Sequence, residues 1–389
     1  MPTRLANLGY LALKKQTDKD VAVIPDTYVP LYKESLNTKV NLDTDNPIAG
    51  NKADVFQHIQ GLREHSGDFQ VLAEPITAGL FLDMILKKGT TTGASDPYTH
   101  PFNLTSDDPN AYTVDIAKGQ IVFRYIGVEG YEISPEFGDN KMMFNVSVSA
   151  RKSFIVREVA SVTSTEVIFK TDYDPSPTTG LVVGDIIRIQ KANGSYLDGT
   201  VLTIDSAIKV TLSASFTGVV AGDLFFIRAA TPSFSLVTPF LWARTEFRFS
   251  NVNAAAALSA AHTPLESGSA WTIKHELANN EGEKRSGSFD PAELARKQTG
   301  LEMDVKAKFD DASDMNRFLT NQSKACVIRH FSGANHELRI TSYNQKFTED
   351  PVALSTGDLL YAEGKMKSEY SQTDGLQFKV ELLNSQSVI

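Results

Sequence analysis

The sequence predicts a mainly β protein made of two tandem sandwich-type units, each with one flanking helix, and a small β domain inserted between them. Three observations carry this. Two-residue alternation of apolar and polar side chains recurs along most of the 389 residues. Only two segments read as helices, and each follows a strand. The order strand, polar loop, strand, helix occurs twice.

The strands come first. Gln120 to Ile126, Lys141 to Ala150, Val201 to Leu212, Leu301 to Phe309, Leu338 to Tyr343 and Leu376 to Leu383 alternate, and turn residues bound them. The helices are Thr77 to Lys88, with Thr77 as the expected cap and lysines before Gly89, and Asp311 to Thr320, which opens on acidic residues.

The repeat sets Ser35 to Leu42, Arg63 to Gly67, Asp68 to Ala73 and the first helix against Ala270 to Leu277, Arg296 to Gly300, Leu301 to Phe309 and the second helix. Thr38 to Leu42 align with Ile273 to Leu277, and Leu82, Ile85 and Leu86 with Met315, Phe318 and Leu319. A one-residue slip separates the strand and helix alignments. Between the halves, Glu158 to Ala230 breaks the repeat with short strands and Gly-Asp turns, as a small barrel or sandwich does. The expected division is a first unit over 1–155, an inserted domain over 156–231 and a second unit over 232–389.

Composition narrows the function classes. The formal net charge of −9 has the wrong sign for a protein that grips nucleic acid by neutralising phosphates. The single cysteine, Cys326, excludes an intrachain disulfide and a cysteine-based zinc site. No stretch reads as an export signal or a membrane-spanning helix, so the expectation is a soluble chain with no membrane partner.

Catalytic and metal motifs fail on inspection. His275-Glu276 begins like a helical zinc motif, but Asn279 stands where the second histidine belongs and the segment alternates as a strand. Its alternation turns His275 toward a core with Trp271, Ile273 and Leu277. Asp43-Thr44-Asp45 starts like a calcium loop without its glycine or closing glutamate. Ser149-Ala-Arg-Lys152 has the spelling of an acyl-transfer motif without its partner motifs. His330 and His336 flank a turn at Gly333. No catalytic residue, cofactor or metal site is expected. What remains is two long polar loops, Asp43 to Gln60 and Ala278 to Ala295, at the same place in each half; loops of this length are usually functional or disordered.

Tyr28 to Leu36, Gly61 to Phe69, Tyr112-Thr-Val114, Gly127 to Ile133, Gly300 to Val305, the Asp314 to Leu319 helix and Leu376 to Val380 together resemble the tail tube proteins of long-tailed, non-contractile bacteriophages. The similarity covers about residues 5 to 153 and 233 to 389. The insertion departs from the family's basic pattern.

The resemblance implies a structural, non-enzymatic virion protein, assembled in the host cytoplasm into stacked rings that form the conduit for DNA ejection. Its partners would be copies of itself, the tape measure protein and other tail proteins, and passing viral DNA held without sequence-specific contacts. Two units per chain imply a homotrimeric ring of approximate sixfold symmetry; the alternative is a ring of six chains. Alternation turns Leu36, Val40 and Leu42 to the core and assigns Lys39, Asn41, Asp68, Gln70, Lys274, Glu276, Glu302, Asp304, Lys306 and Lys308 to the channel wall. The loops, with Asp43, Asp45, Asn51, Asp54, Asn279, Glu281, Glu283, Lys284 and Arg285, are the candidates for ring stacking. The inserted domain is expected on the outside of the tube, dispensable for polymerisation. A β-rich receptor-binding or virion-surface module is the other reading, with a carbohydrate-active β-sandwich enzyme third. An adhesin would bind cells or glycans as a discrete oligomer, an enzyme would turn over substrate, and a tube protein would form hollow filaments.

Overall fold

The computed structural model describes residues 9–389 apart from 46–56, 105–107, 173, 235–236, 252, 267, 278–289, 292, 295, 309–315, 317, 350–351 and 354–360. The first half holds β1 (Tyr10–Lys15), β2 (Thr27–Val29), β3 (Leu31–Glu34), β4 (Asn37–Asp45), β5 (Gln57–Leu72), α1 (Ala78–Ile85), β6 (Lys87–Lys88), β7 (Tyr98–Asn103), β8 (Tyr112–Lys118), β9 (Ile121–Gly138), β10 (Lys141–Ser149) and β11 (Lys152–Phe154). The insertion holds β12 (Val156–Thr163), β13 (Glu166–Phe169), β14 (Ile186–Gln190), β15 (Tyr196–Ser206), β16 (Lys209–Leu212) and β17 (Leu224–Ile227). The second half holds β18 (Thr245–Ser250), α2 (Ala254–Ser259), β19 (Ala270–Leu277), β20 (Arg296–Lys308), β21 (Lys324–Ser332), β22 (His336–Phe347), β23 (Val352–Ala353), β24 (Tyr361–Ser368) and β25 (Phe378–Asn384).

Strand pairing repeats between the halves. In the first, β1 pairs with β8, β8 with β9, β9 with β10 and β11, β10 with β5, and β5 with β4. In the second, β18 pairs with β21, β21 with β22, β22 with β24 and β25, β24 with β20, and β20 with β19. The long strands β9 and β22 each serve two layers. β9 turns at Gly127, whose φ of 65° and tight fit against Lys19 O and the Arg151 side chain leave no room for a Cβ.

The halves are fused through one rung pair, Ile133 with Ile273 and Glu132 with Lys274. This makes a continuous antiparallel sheet in the order β4-β5-β10-β9-β19-β20-β24-β22. One hydrophobic core underlies both halves, with Phe69, Phe81, Phe144, Trp271, Ile328 and Val380 among its buried members.

The alignment of the repeat needs correction in one segment. Both hairpins shift register at the matched place, between Val40 and Leu42 and between His275 and Leu277. Leu42 then pairs with Gln60 and Leu277 with Arg296, so Gln60 rather than Arg63 is the counterpart of Arg296, and Glu64 rather than Gly67 that of Gly300. Sequence similarity alone does not give this pairing, because the partner of each residue is set by the hairpin register and the same register shift occurs in both halves.

Other expectations shift too. The first helix is shorter than Thr77 to Lys88: Lys87 and Lys88 join a strand pair, and the Thr77 side chain makes no capping bond. Asp43, Asp45 and residues 57–60 are paired strand rather than loop. Val40 and Leu42 are 40% and 58% exposed rather than core residues, because this hairpin extends beyond the strands that cover Leu36. The Asp311 to Thr320 helix lies largely outside the described residues, though its last residues are helical and end at Asn321, whose φ is 53°.

The insertion is a closed barrel in the order β12-β13-β16-β15-β14-β17. Its core includes Val159, Ile187, Val210 and Phe225, with Phe169 and Phe225 ring centroids 4.8 Å apart. Val122 and Phe154 of the first half belong to the same cluster. The barrel is further held by Arg124, which donates to both Asp115 oxygens at 2.8 Å, to Asp185 Oδ2 at 2.7 Å and to Gly180 O at 3.1 Å. Arg124 and Asp115 stand on β9 and β8, Asp185 and Gly180 in the insertion. Burial opposes the Arg124 charge, but the two carboxylates outweigh it and hold its pKa above the ordinary value.

Candidate functional site

Paired residues on neighbouring strands point to one face of a sheet. The pairs Asp68 with Ser147, Ser147 with Glu132, Glu132 with Lys274 and Lys274 with Gly300 therefore trace a row across both halves. Lys39 faces Glu64, Gln70 faces Asn145, Glu302 faces Lys367, Asp304 faces Lys365 and Lys306 faces Glu363 on the same side. Sequence alternation thus named residues that tertiary pairing gathers on one polar surface.

That surface is internally paired. Ser147 Oγ donates to Asp68 at 2.6 Å, Asn41 Nδ2 to Glu64 at 2.5 Å, and Gln70 Nε2 to Glu136 at 2.7 Å and Asn145 at 2.9 Å. Lys274 Nζ lies 3.1 Å from Glu132 and Lys367 Nζ 3.6 Å from Glu302, while Lys306 pairs with Glu363. Glu132 holds the Lys274 pKa above its ordinary value. Gln70 is buried beneath its partners rather than exposed. Lys308 pairs with Tyr361 at the end of β20, and Glu276 falls at the register shift between His275 and Leu277.

Sequence reading missed Glu132, Glu136, Asn145, Ser147, Glu363, Lys365 and Lys367. The polar half of the alternation in Lys141 to Ala150 was the available signal for two of them. Carboxylates outnumber lysines on it, and the face presents close partners of both signs to anything passing over it. Among the stacking candidates, Asp43 and Asp45 sit on β4; Asn51, Asp54, Asn279, Glu281, Glu283, Lys284 and Arg285 lie outside the described residues.

The second feature is the junction between the halves. His275 Nε2 donates to Ile85 O at 2.5 Å, and Thr299 Oγ1 bonds its Nδ1. Arg296 reaches Ile85 O at 3.4 Å, Met84 O at 3.2 Å and Glu129 Oε2 at 3.2 Å. The last carbonyls of α1, which have no intrahelical donor, are thus satisfied by the other half. Burial, with the charge of Arg296, pushes His275 down to about 4 and keeps it a neutral hydrogen-bonding group. Glu129 is buried and also lies 3.0 Å from Lys19 Nζ. The sequence showed His275 as a core residue, but not its bond to the first helix.

Among the described residues no group of three or more His, Cys, Asp or Glu could hold a metal ion, and no helix is long and apolar enough to cross a membrane. His330 is buried between Trp271 Nε1, at 3.0 Å, and Thr245 Oγ1, at 2.9 Å.

The family model described as phage tail tube protein matches residues 6–270, and the chain belongs to that family. It is a structural component of a phage tail. No curated protein matches the chain.

Proposed function

We propose that this protein builds the tail tube of a long-tailed, non-contractile phage as stacked rings of three chains with approximate sixfold symmetry, and has no catalytic role. The observation that carries the stoichiometry is the β9–β19 pairing, which already joins two similarly paired units edge to edge within one chain. Among the described residues β4 pairs only with β5, and Lys346 and Phe347 at the C-terminal end of β22 pair only with β24. Such edges at the two ends of one sheet are relieved by head-to-tail closure. With two units supplied covalently, three chains complete a circle of six.

On this reading the row through Asp68, Glu132, Lys274 and Glu302 lines the channel. Its carboxylates and prepaired lysines do not hold phosphates, which favours sliding of DNA over binding. The barrel is anchored to β8 and β9 in the opposite layer and so projects from the outside. Tape measure and other tail proteins are the remaining partners, and assembly takes place in the host cytoplasm.

The test is electron microscopy of the concentrated protein. Hollow tubes with three chains per ring and Asp68 and Asp304 on the inner wall are expected. Six full-length chains per ring overturn the stoichiometry, and an outer-wall position of those aspartates overturns the channel assignment.

A further inference from the structure

The internal junction has a counterpart whose two sides are both uncovered. In the chain, the β19–β20 hairpin buries His275 to 6% exposure and the end of α1 buries Leu86 to 2%. Ile85, Leu86, His275 and Arg296 line one crevice of about 210 Å³. The repeat matches His275 to Val40, Leu277 to Leu42 and Leu86 to Leu319. Val40 and Leu42 are 40% and 58% exposed, and Leu319 at the end of the second helix is 73% exposed. The helix closes there, with Thr320 N bonded to Asn316 O at 2.9 Å and Asn321 N to Phe318 O at 3.2 Å.

These surfaces cannot meet within one molecule. By the repeat the second helix stands to β22 as α1 stands to β9, and β4 and β22 are seven strand spacings, or roughly 34 Å, apart in the sheet. We propose that the Val40–Leu42 face of the β4–β5 hairpin docks on the Leu319 end of the second helix in a neighbouring copy of this chain, repeating between molecules the junction seen inside one. This rests on the ring reading above.

Charge selects the hairpin. In the first half Ser66 pairs with Ser149, and Ser149 with Glu129, the partner of Arg296. The matching rung in the second half is Glu302 with Lys367, and Lys367 with Lys346. A second-half hairpin brought to this end would set Arg296 against Lys346, whereas the first-half hairpin carries Gln60 at that position. Lys346 already pairs with Glu369 at 2.9 Å, so the added arginine disfavours the wrong hairpin and biases the ring toward alternation.

The experiment uses the full chain with Leu42→Asp or Leu319→Asp. Both sites are exposed, so each monomer should unfold at the wild-type temperature. Each variant alone is expected to stay monomeric by analytical ultracentrifugation, at concentrations where wild type forms rings or tubes. Mixed, they are expected to form a one-to-one dimer and stop, because one intact hairpin meets one intact helix end and the remaining pair sets aspartate against aspartate. Rings from either variant alone, or a mixture that stays monomeric, overturn this docking surface while the ring reading stands. Wild type that forms no rings overturns the ring reading and the docking surface with it.

Discussion

Replacing Arg124 by Met keeps much of the side-chain volume and removes the charge between the barrel and the first half. Asp115 and Asp185 would be left in a site where both are nearly inaccessible to water. Breaking one side of a buried ion pair costs about 3–5 kcal/mol. A ceiling follows from protonation: an aspartate that ionises near 3.9 when unfolded can be neutralised at pH 7 for about 4 kcal/mol. At pH 5 the same neutralisation costs about 1.5 kcal/mol for each carboxylate. The expected loss for Arg124→Met is therefore about 3–5 kcal/mol at pH 7, shrinking to about 2–3 kcal/mol at pH 5. Adding Asp115→Asn and Asp185→Asn should restore most of it, since no buried charge then lacks a partner. Urea unfolding measured by circular dichroism tests the magnitude. Tryptophan fluorescence, which reports Trp242 and Trp271 outside the barrel, separates barrel loss from global unfolding. A variant within about 1 kcal/mol of wild type at pH 7 would refute the claim that this arginine locks the barrel.

Two further predictions concern the junction and the core. Arg296→Met should destabilise the chain by about 2 kcal/mol, less than a full buried-pair loss because Lys19 stays beside Glu129; an unchanged urea midpoint would show that the crevice contributes no stability. Acid should weaken the fold. Burial pushes His330 down to about 3, and burial with Arg296 pushes His275 to about 4, so both take up a proton near pH 6.5 on unfolding and their contribution is lost as pH falls below it. Glu74, raised to about 7 by burial, works in the opposite direction over the same range. These three groups leave a net of about one proton, or about 1.4 kcal/mol of stability lost per pH unit between pH 6 and 5, and His100, lowered chiefly by burial, adds to the loss. Urea midpoints at the two pH values check it, and a gain toward pH 5 would contradict the histidine assignment.

The sequence by itself determined the class of the fold, because side-chain alternation is a property of adjacent residues and survives wherever a strand has one buried face. Lys274, Glu302 and Asp304 could be placed on a polar face from their immediate neighbours alone, and the two hairpins announced the duplication. Val40 and Leu42 obey the same alternation yet are exposed, because what covers a strand face is decided by distant chain. Only the tertiary structure decided which strand lies beside which: that β9 meets β19, that Arg124 faces Asp185 across 61 positions, and that Arg296 corresponds to Gln60. Pairing partners are chosen by the closure of one core over long sequence separations. The register shift falls at the same place in both hairpins, so a comparison of the two halves does not reveal it. The junction between the halves therefore depends on the tertiary structure.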